Sequence, residues 1–351
     1  MNEEQLLKHV RSIMQSVLEK VATSNLTDDE AVESLISDVG NILDQYDLLV
    51  DEVIPEAVIN HYFGGVDEAT RVLKGDGVRT KKMSRLIHEK AVGRIMDDTL
   101  LDFKAAIRTA KDSAASTIRN ALDEVQGDFA KGILTGDTRK VIQQRVAQSF
   151  KKEGLTSFIT KDGKKLPLDF YSMTVTRTKM RDASVKGHVE RYKENGQDLV
   201  QIIENSDSCP ICANHKDLVV SLTGETEGYP TIDEVQLPPY HPNCRGGIRP
   251  YVVRFKTDAE IERAKKRNSD FKEGKDTRTP AQKRAYEREQ EARRKANDEK
   301  KQYARWQGLL GDEAPKTLGG FRRMKRQNTV KFQELQSEYR SLAQQISGGG
   351  D

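Results

Sequence analysis

Leu6, Leu7, Val10, Ile13, Met14, Val17, Leu18 and Val21 recur at three- and four-residue steps along the first 23 residues. That spacing puts them on one face of a helix. A second stripe, Val32, Leu35, Ile36, Val39, Ile42 and Leu43, follows Thr27-Asp28-Asp29-Glu30, whose Thr and Glu have capping-box spacing. Residues 1–45 therefore predict an antiparallel helical hairpin. Its stripes either pack on each other or dock on a partner's helices. Pro55, Gly64-Gly65 and Gly75-Asp76-Gly77 punctuate residues 48–80 and predict breaks there. Helical spacing resumes through Ile87, Ala91, Ile95, Leu100, Phe103 and Ile107, and Gly127, Gly132 and Gly136 cut it into pieces. Thr135-Gly136-Asp137-Thr138 predicts the cap of a helix carrying Val141, Val146 and Phe150.

Further along, Phe158 to Leu166 reads as a small hairpin turning at Asp162-Gly163, because both central residues of a type I′ turn need positive φ. A long helix is predicted over 167–194, closed by Asn195-Gly196. Leu199-Val200-Gln201-Ile202-Ile203 is a short strand, and the loop beyond it is interrupted by Tyr229-Pro230 and Pro238-Pro239. After residue 255 the chain is dense in Lys, Arg, Glu and Gln and predicts exposed helix, split at Gly274 and Pro280. Gly308, Gly311, Pro315 and Gly319-Gly320 mark a loop, a single final helix is predicted over 321–346, and Gly348-Gly349-Gly350 reads as a disordered tail. The fold class expected is mainly α with a small α+β module. Three regions are expected: a helical part over 1–150, the α+β module over 151–254, and a charged helical tail over 255–351.

Composition sharpens this picture. An apolar share of 36% and a mean hydropathy of −0.72 are low for one compact globule of 351 residues, and favour elongated helices with much solvated surface. No apolar run is long enough to cross a membrane, and Met1-Asn2-Glu3-Glu4 lacks the start of an export signal. The net charge of +3 hides an asymmetry. Residues 1–60 carry 13 acidic and 3 basic side chains, whereas residues 256–351 carry 24 basic and 16 acidic ones. Such blocks are either solvated helix faces or surfaces for partners of opposite charge.

The chemistry is concentrated in one window. All three cysteines lie in Cys209-Pro210-Ile211-Cys212 and, after 28 intervening residues, His241-Pro242-Asn243-Cys244. The two C-x-x-C/H-x-x-C knuckles supply four donors, the number a tetrahedral structural zinc takes. A closed set of four leaves no open position, so the metal would pin a loop rather than perform a reaction. The bland alternative is a set of reduced thiols beside a hydrogen-bonded histidine. A redox C-x-x-C is a third reading, without a thioredoxin-like βαβ pattern to support it. His215 reads as a solvent-facing loop residue or a substitute ligand.

The order of these features carries a resemblance. The Asp162-Gly163 hairpin, the helix with Arg177-Thr178, the strand into Cys209-Pro-Ile-Cys212, the turn Thr223 to Pro230, and Pro239-Tyr-His-Pro-Asn-Cys-Arg245 resemble the phage minor head proteins of the Mu gpF-like family, in particular the branch called phage minor capsid protein 2. Tyr286, Gln290, Arg293, Arg294 and Lys301 are similar to that branch's downstream helix. The likeness spans roughly 155–335, with the N-terminal 150 residues matching only as generic helix. The family often places a further Cys or His after the Asn-Cys-Arg run, where this chain has Gly246. The resemblance implies a non-enzymatic virion protein in the capsid interior near the portal vertex, made in the host cytoplasm, acting in head morphogenesis and in DNA packaging or delivery. Portal and other capsid proteins would be its partners, with neither membrane nor small-molecule substrate. Non-specific DNA contact would fall to Lys265, Lys266, Arg267, Arg293, Arg294, Lys295, Arg322, Arg323, Lys325 and Arg326, unless Glu287, Glu289 and Glu291 pair with that face. The competing functions are a zinc-dependent nuclease or toxin and a zinc-stabilised adaptor. The nuclease would need a general base, and His215 is the one histidine near the ligands.

Overall fold

A computed structural model describes residues 3–24, 29–130, 156–159, 165–310 and 313–347. Thr27 and Asp28 of the expected capping box, the Asp162-Gly163 turn, the Thr135–Thr138 cap with its helix, Gly311, and the Gly348–Gly350 tail lie outside the described residues. The protein is mainly α with a small α+β module, as the pattern predicts. By compactness the chain forms two units. One comprises Met1–Leu7, Leu49–Phe103 and Ser172–Glu289; the other comprises Lys8–Leu48, Lys104–Tyr171 and Gln290–Asp351.

Helix α1 is Glu3–Thr23 and α2 is Asp29–Gly75. The expected stripes are buried: Val10, Val17 and Val21 on α1, and Val32, Leu35, Val39 and Leu43 on α2. Lys20 pairs with Asp38 at 2.8 Å. The breaks predicted at Pro55 and Gly64-Gly65 do not occur. Helix α2 runs unbroken for 47 residues with Pro55 inside it. Val50, Val53, Ile54, Val58 and Tyr62 are all buried around the proline, and that burial outweighs the one backbone bond a proline forfeits. The helix does end where expected, at Gly75, with Gly77 at φ 68°. Helix α3, Arg85–Ala130, also passes through Gly127 without a break. Arg119 grips Glu33 with two hydrogen bonds of 2.9 and 3.0 Å, and Lys111 pairs with Asp44, tying α3 to α2.

Strands β1 (Thr156–Ile159) and β2 (Lys165–Pro167) form the predicted antiparallel hairpin. Helix α4, Leu168–Glu194, ends on Asn195-Gly196 as expected, with Gly196 at φ 72° and Asn195 Nδ2 donating to Arg191 O. Strand β3 (Leu199–Ile203) is the centre of a three-stranded antiparallel sheet, with β4 (Val219–Ser221) on one side and β5 (Gly247–Pro250) on the other. Alternation sorts its side chains. Val200, Ile202, Val220 and Ile248 join a core with Ala69 and Leu73 of α2 and Val185, Val189 and Tyr192 of α4. Leu199 and Val219 face the other way, onto Tyr251 and Ala264.

Helix α5 is the six-residue turn Pro210–His215, and α6 is Asp258–Ser269, opened by a full Thr257/Glu260 capping box. Helix α7, Pro280–Leu310, starts at the predicted proline, where Thr279 and Gln282 cap each other. The single final helix is two: α8 (Leu318–Gln327) and α9 (Val330–Ser347). Asn328 adopts a left-handed conformation between them (φ 46°), and Thr329 Oγ1 accepts from Phe332 N–H. The bend lets both Phe321 and Phe332 reach Trp306, edge-on at 5.1 Å and stacked at 5.0 Å.

Two glycines set the distance between α2 and α4. A Cβ added at Gly65 would overlap the Ser184 carbonyl, and one at Gly187 would overlap the Tyr62 carbonyl. Both obstacles are backbone, so neither can swing aside. Gly187→Ala is expected to lower unfolding stability by about 1–3 kcal/mol. Gly93→Ala, at a helical position with nothing within 4 Å, is expected to raise it by about 0.5–1 kcal/mol. Urea unfolding of the two variants measures both.

Candidate metal centre

The two knuckles meet because of sheet register. Ile203, the last residue of β3, pairs with Gly247, the first of β5. The chain leaving β3 toward Cys209 therefore runs beside the chain that has just passed Cys244. Cys209 is the N-cap of α5, its sulfur accepting from Cys212 N–H at 3.5 Å, with Pro210 at the position where a missing N–H costs nothing. One helical turn thus presents both sulfurs on the same side. In the second knuckle Asn243 takes a left-handed conformation (φ 64°), which Asn tolerates better than most residues, and Cys244 N–H closes the turn on His241 O at 3.0 Å. Arg181 of α4 fixes the exit: its Nε donates to Gly246 O at 2.7 Å and its Nη2 to Arg245 O at 2.6 Å.

The four expected ligands lie in one chain of contacts, with Cys244 joined to the others through Cys212. His241 Nε2 lies 3.1 Å from Cys209 Sγ and 3.0 Å from Cys212 Sγ, and Cys212 Sγ lies 3.6 Å from Cys244 Sγ. His241 Nδ1 is 2.8 Å from the Pro242 carbonyl. A carbonyl only accepts, so Nδ1 carries the proton and Nε2 turns its lone pair to the sulfurs, the tautomer a metal-binding imidazole needs. The donor atoms form two overlapping triads, each with mutual distances within 4.8 Å: Cys209, Cys212 and His241, and Glu204, Cys212 and Cys244. Cys212 belongs to both.

Glu204 is the residue the sequence did not reveal. It follows β3 directly, outside either knuckle, and no metal-site spacing includes it. Burial, and after it the neighbouring Cys244 sulfur, pushes its carboxyl up to about 7. The two inner thiols divide a proton unequally. The hydrogen bond to Cys244, together with burial, pushes Cys212 far up. The same bond, helped by the backbone of Tyr240 and Gly246, brings Cys244 down to about 5. His215 lies not in a loop but in the last turn of α5. It stacks on Tyr240 at 4.2 Å, meets Phe271, and its Nδ1 bonds Ile211 O at 2.9 Å.

Three sulfurs and one imidazole nitrogen with a fixed tautomer fit zinc. Cys209, Cys212, His241 and Cys244 would hold it, and its charge would neutralise thiolates that the buried site otherwise disfavours. Segments beyond the second knuckle enclose α5. Arg267 donates to Lys216 O and Asn214 O, Asn214 Nδ2 donates to Lys272 O, and Thr277 Oγ1 donates to Ala213 O.

The ten basic candidates have different surroundings. Arg267 is turned inward, and burial lowers its pKa. Lys265 pairs with Glu262, Lys266 with Asp270, Lys295 with Glu291 and Arg322 with Glu299. Lys325 donates to Gln302 at 2.7 Å. Arg293 and Arg294 lie on the exposed surface of α7, and Arg323 and Arg326 on the exposed surface of α8.

Metal binding must displace the thiol protons, so zinc affinity is expected to fall as pH falls, measured by competition with a chromophoric chelator at about pH 8 and about pH 6. Cys212→Ser, which breaks both triads, is expected to cut bound zinc from about one equivalent to under about a tenth by elemental analysis.

No curated protein and no solved structure matches the chain. The family described as phage minor capsid protein 2 matches residues 2–307. That range takes in α1, α2 and α3, which the sequence reading treated as generic helix, and stops inside α7, before α8 and α9. The match covers most of the chain, so the chain belongs to the phage minor capsid protein 2 family.

Proposed function

We propose that this capsid-family protein acts in head morphogenesis at the portal vertex, inside the capsid, with a part in DNA packaging or delivery. The observation that carries a structural rather than a catalytic role is the enclosed Cys/His cluster at the shared end of β3 and β5. A metal bound there would draw on Cys209, Cys212, His241 and Cys244, a donor set that would leave no place for a substrate. His215, the base a nuclease would require, is committed to Tyr240 and to the Ile211 carbonyl, which supports the same reading.

Long helices that present both polar and apolar surface suit docking on portal and other capsid proteins. Leu48 of α2, Leu86 and Leu101 of α3 and Val330 of α9 are large apolar side chains left well exposed. The DNA role rests on the tail's excess of basic over acidic residues and on Arg294, Arg323 and Arg326 at its surface. Contact through them would be electrostatic and independent of sequence.

The full-length protein is expected to bind duplex DNA at low salt and to lose most of that affinity at physiological salt. Replacing Arg323 and Arg326 with Ala is expected to reduce the slope of log affinity against log salt by about 1.8 for the two contacts. No binding at low salt, or an unchanged slope, would remove the DNA role. Capture of portal protein from infected-cell extract by the tagged full chain, identified by mass spectrometry, checks the docking role separately.

A further inference from the structure

Glu204 has no place in the four-donor zinc set, yet the fold goes to some length to hold it against that set. Ser208 Oγ donates to its Oε2 at 3.2 Å. Its other oxygen, Oε1, is shut off from solvent and has no hydrogen-bond partner among the described residues. The carboxylate lies within 4.8 Å of the Cys212 and Cys244 sulfurs. Its position exists only because residue 246 has no side chain: a Cβ at Gly246 would overlap Oε1 and crowd the carboxyl carbon at 2.8 Å. The backbone at Gly246 cannot retreat either, because Arg181 holds its carbonyl.

Charge makes the arrangement costly unless something completes it. A carboxyl group is packed against two sulfurs with one oxygen shut off from solvent and unpaired, which costs free energy until a partner completes it. The arginines nearest Glu204 are engaged elsewhere. Arg181 donates to the carbonyls of Arg245 and Gly246, and Arg245 pairs with Asp207 at 2.6 Å. The partner that fits Oε1 is a cation inside the cluster itself.

The geometry points to Glu204 as a reserve metal donor, which with Cys212 and Cys244 forms an inner triad that keeps the ion when an outer donor is lost. This rests on the reading of the cluster as a metal centre. The ion is then a borderline divalent metal such as zinc or cobalt(II), which accept carboxylate, imidazole and thiolate alike. Cys212, shared by both triads, is indispensable. His241, on the outer side and half exposed, is replaceable. Its loop can shift while the inner triad holds the ion.

The test is cobalt(II) and zinc titration of the full-length protein and four variants: Glu204→Gln, His241→Ala, the double variant, and Gly246→Ala. Circular dichroism reports whether each is folded. Wild type is expected to bind one equivalent, and His241→Ala to retain it with affinity weakened no more than about 10-fold. Glu204→Gln is expected to weaken binding far more in the His241→Ala background than alone, by more than about 100-fold, with a change in the cobalt visible bands. Gly246→Ala keeps every donor side chain in the sequence but displaces Glu204, so in the His241→Ala background it should reproduce that loss. Equal effects of Glu204→Gln in both backgrounds would make Glu204 a supporting neighbour rather than a ligand and overturn the proposal. So would a His241→Ala protein as empty as Cys212→Ser. A folded wild-type protein that takes up neither metal would instead overturn the metal centre itself.

Discussion

The backbone-to-backbone contact of α2 and α4 is the constraint on which the α+β module depends. Gly65 and Gly187 let the two helices approach until carbonyl oxygens occupy the space of a methyl group. At that distance α4 serves three neighbours at once. Val185, Val189 and Tyr192 reach the sheet, Arg181 reaches the second knuckle, and Arg191 with Glu194 closes over a buried histidine. There Tyr62 OH meets His88 Nδ1 at 2.9 Å, and Glu194 faces the other ring nitrogen at 3.5 Å. Arg191 adds bonds to Thr70 at 2.8 Å and to the Lys81 carbonyl at 2.8 Å. A buried charged group is tolerated only when its hydrogen bonds are made, and these bonds exist only while α4 keeps its register against α2 and the segment leading into α3.

The cysteine cluster solves a different problem. A sheet whose strands hold three to five residues buries little, and the long connection between β4 and β5 adds Leu222 and Val235 with the partly buried Ile232, Leu237 and Tyr240. Joining the two knuckles through a metal would tie the far end of that connection to the start of α5. The neighbouring interactions serve the same closure. Asp198 is held well below its usual range, near 2, despite its partial burial, because Thr226, Thr223 and Ser221 donate to it. It therefore stabilises the turn after β4 while ionised, and that contribution persists until pH falls through the low value.

Much of this was legible in the chain, and what was not has a physical cause. The apolar stripes of α1 and α2, the limits of α4, the β1–β2 hairpin, strand β3 and the start of α7 follow local rules, since period, caps and turns are written in adjacent residues. Pro55 and Gly64-Gly65 misled because those rules price a residue by its own backbone. Their place in α2 is set by packing: Val53, Ile54 and Val58 bury the turn around the proline, and the close approach of Ser184 of α4, far away in sequence, explains Gly65. The divided final helix was missed for a similar reason. Asn328 and Thr329 are weak signals alone, and the bend is decided by Phe321 and Phe332 both packing on Trp306. The four spaced ligands were readable as knuckles. Glu204 was not, because its nearness to Cys244 comes from the pairing of Ile203 with Gly247, and its visible trace is the lack of a side chain at Gly246.

The end of the family match adds a last step. It falls at residue 307, beside Trp306, the residue around which the C-terminal helices assemble. Leu310, Ala314, Phe321, Phe332 and Leu335 surround that indole, so α8 and α9 own a core rather than trailing from α7 as loose polar chain. Composition alone described this stretch as a charged tail. Packing divides its charges into two populations. Arg322 and Lys325 lean back on Glu299 and Gln302 of α7 and hold α8 in place, while Arg323 and Arg326 of the same helix are exposed. A net positive balance is therefore a poor guide to which side chains can meet a polyanion. The helix period sorts neighbours in sequence into those that build the element and those left free to act from it.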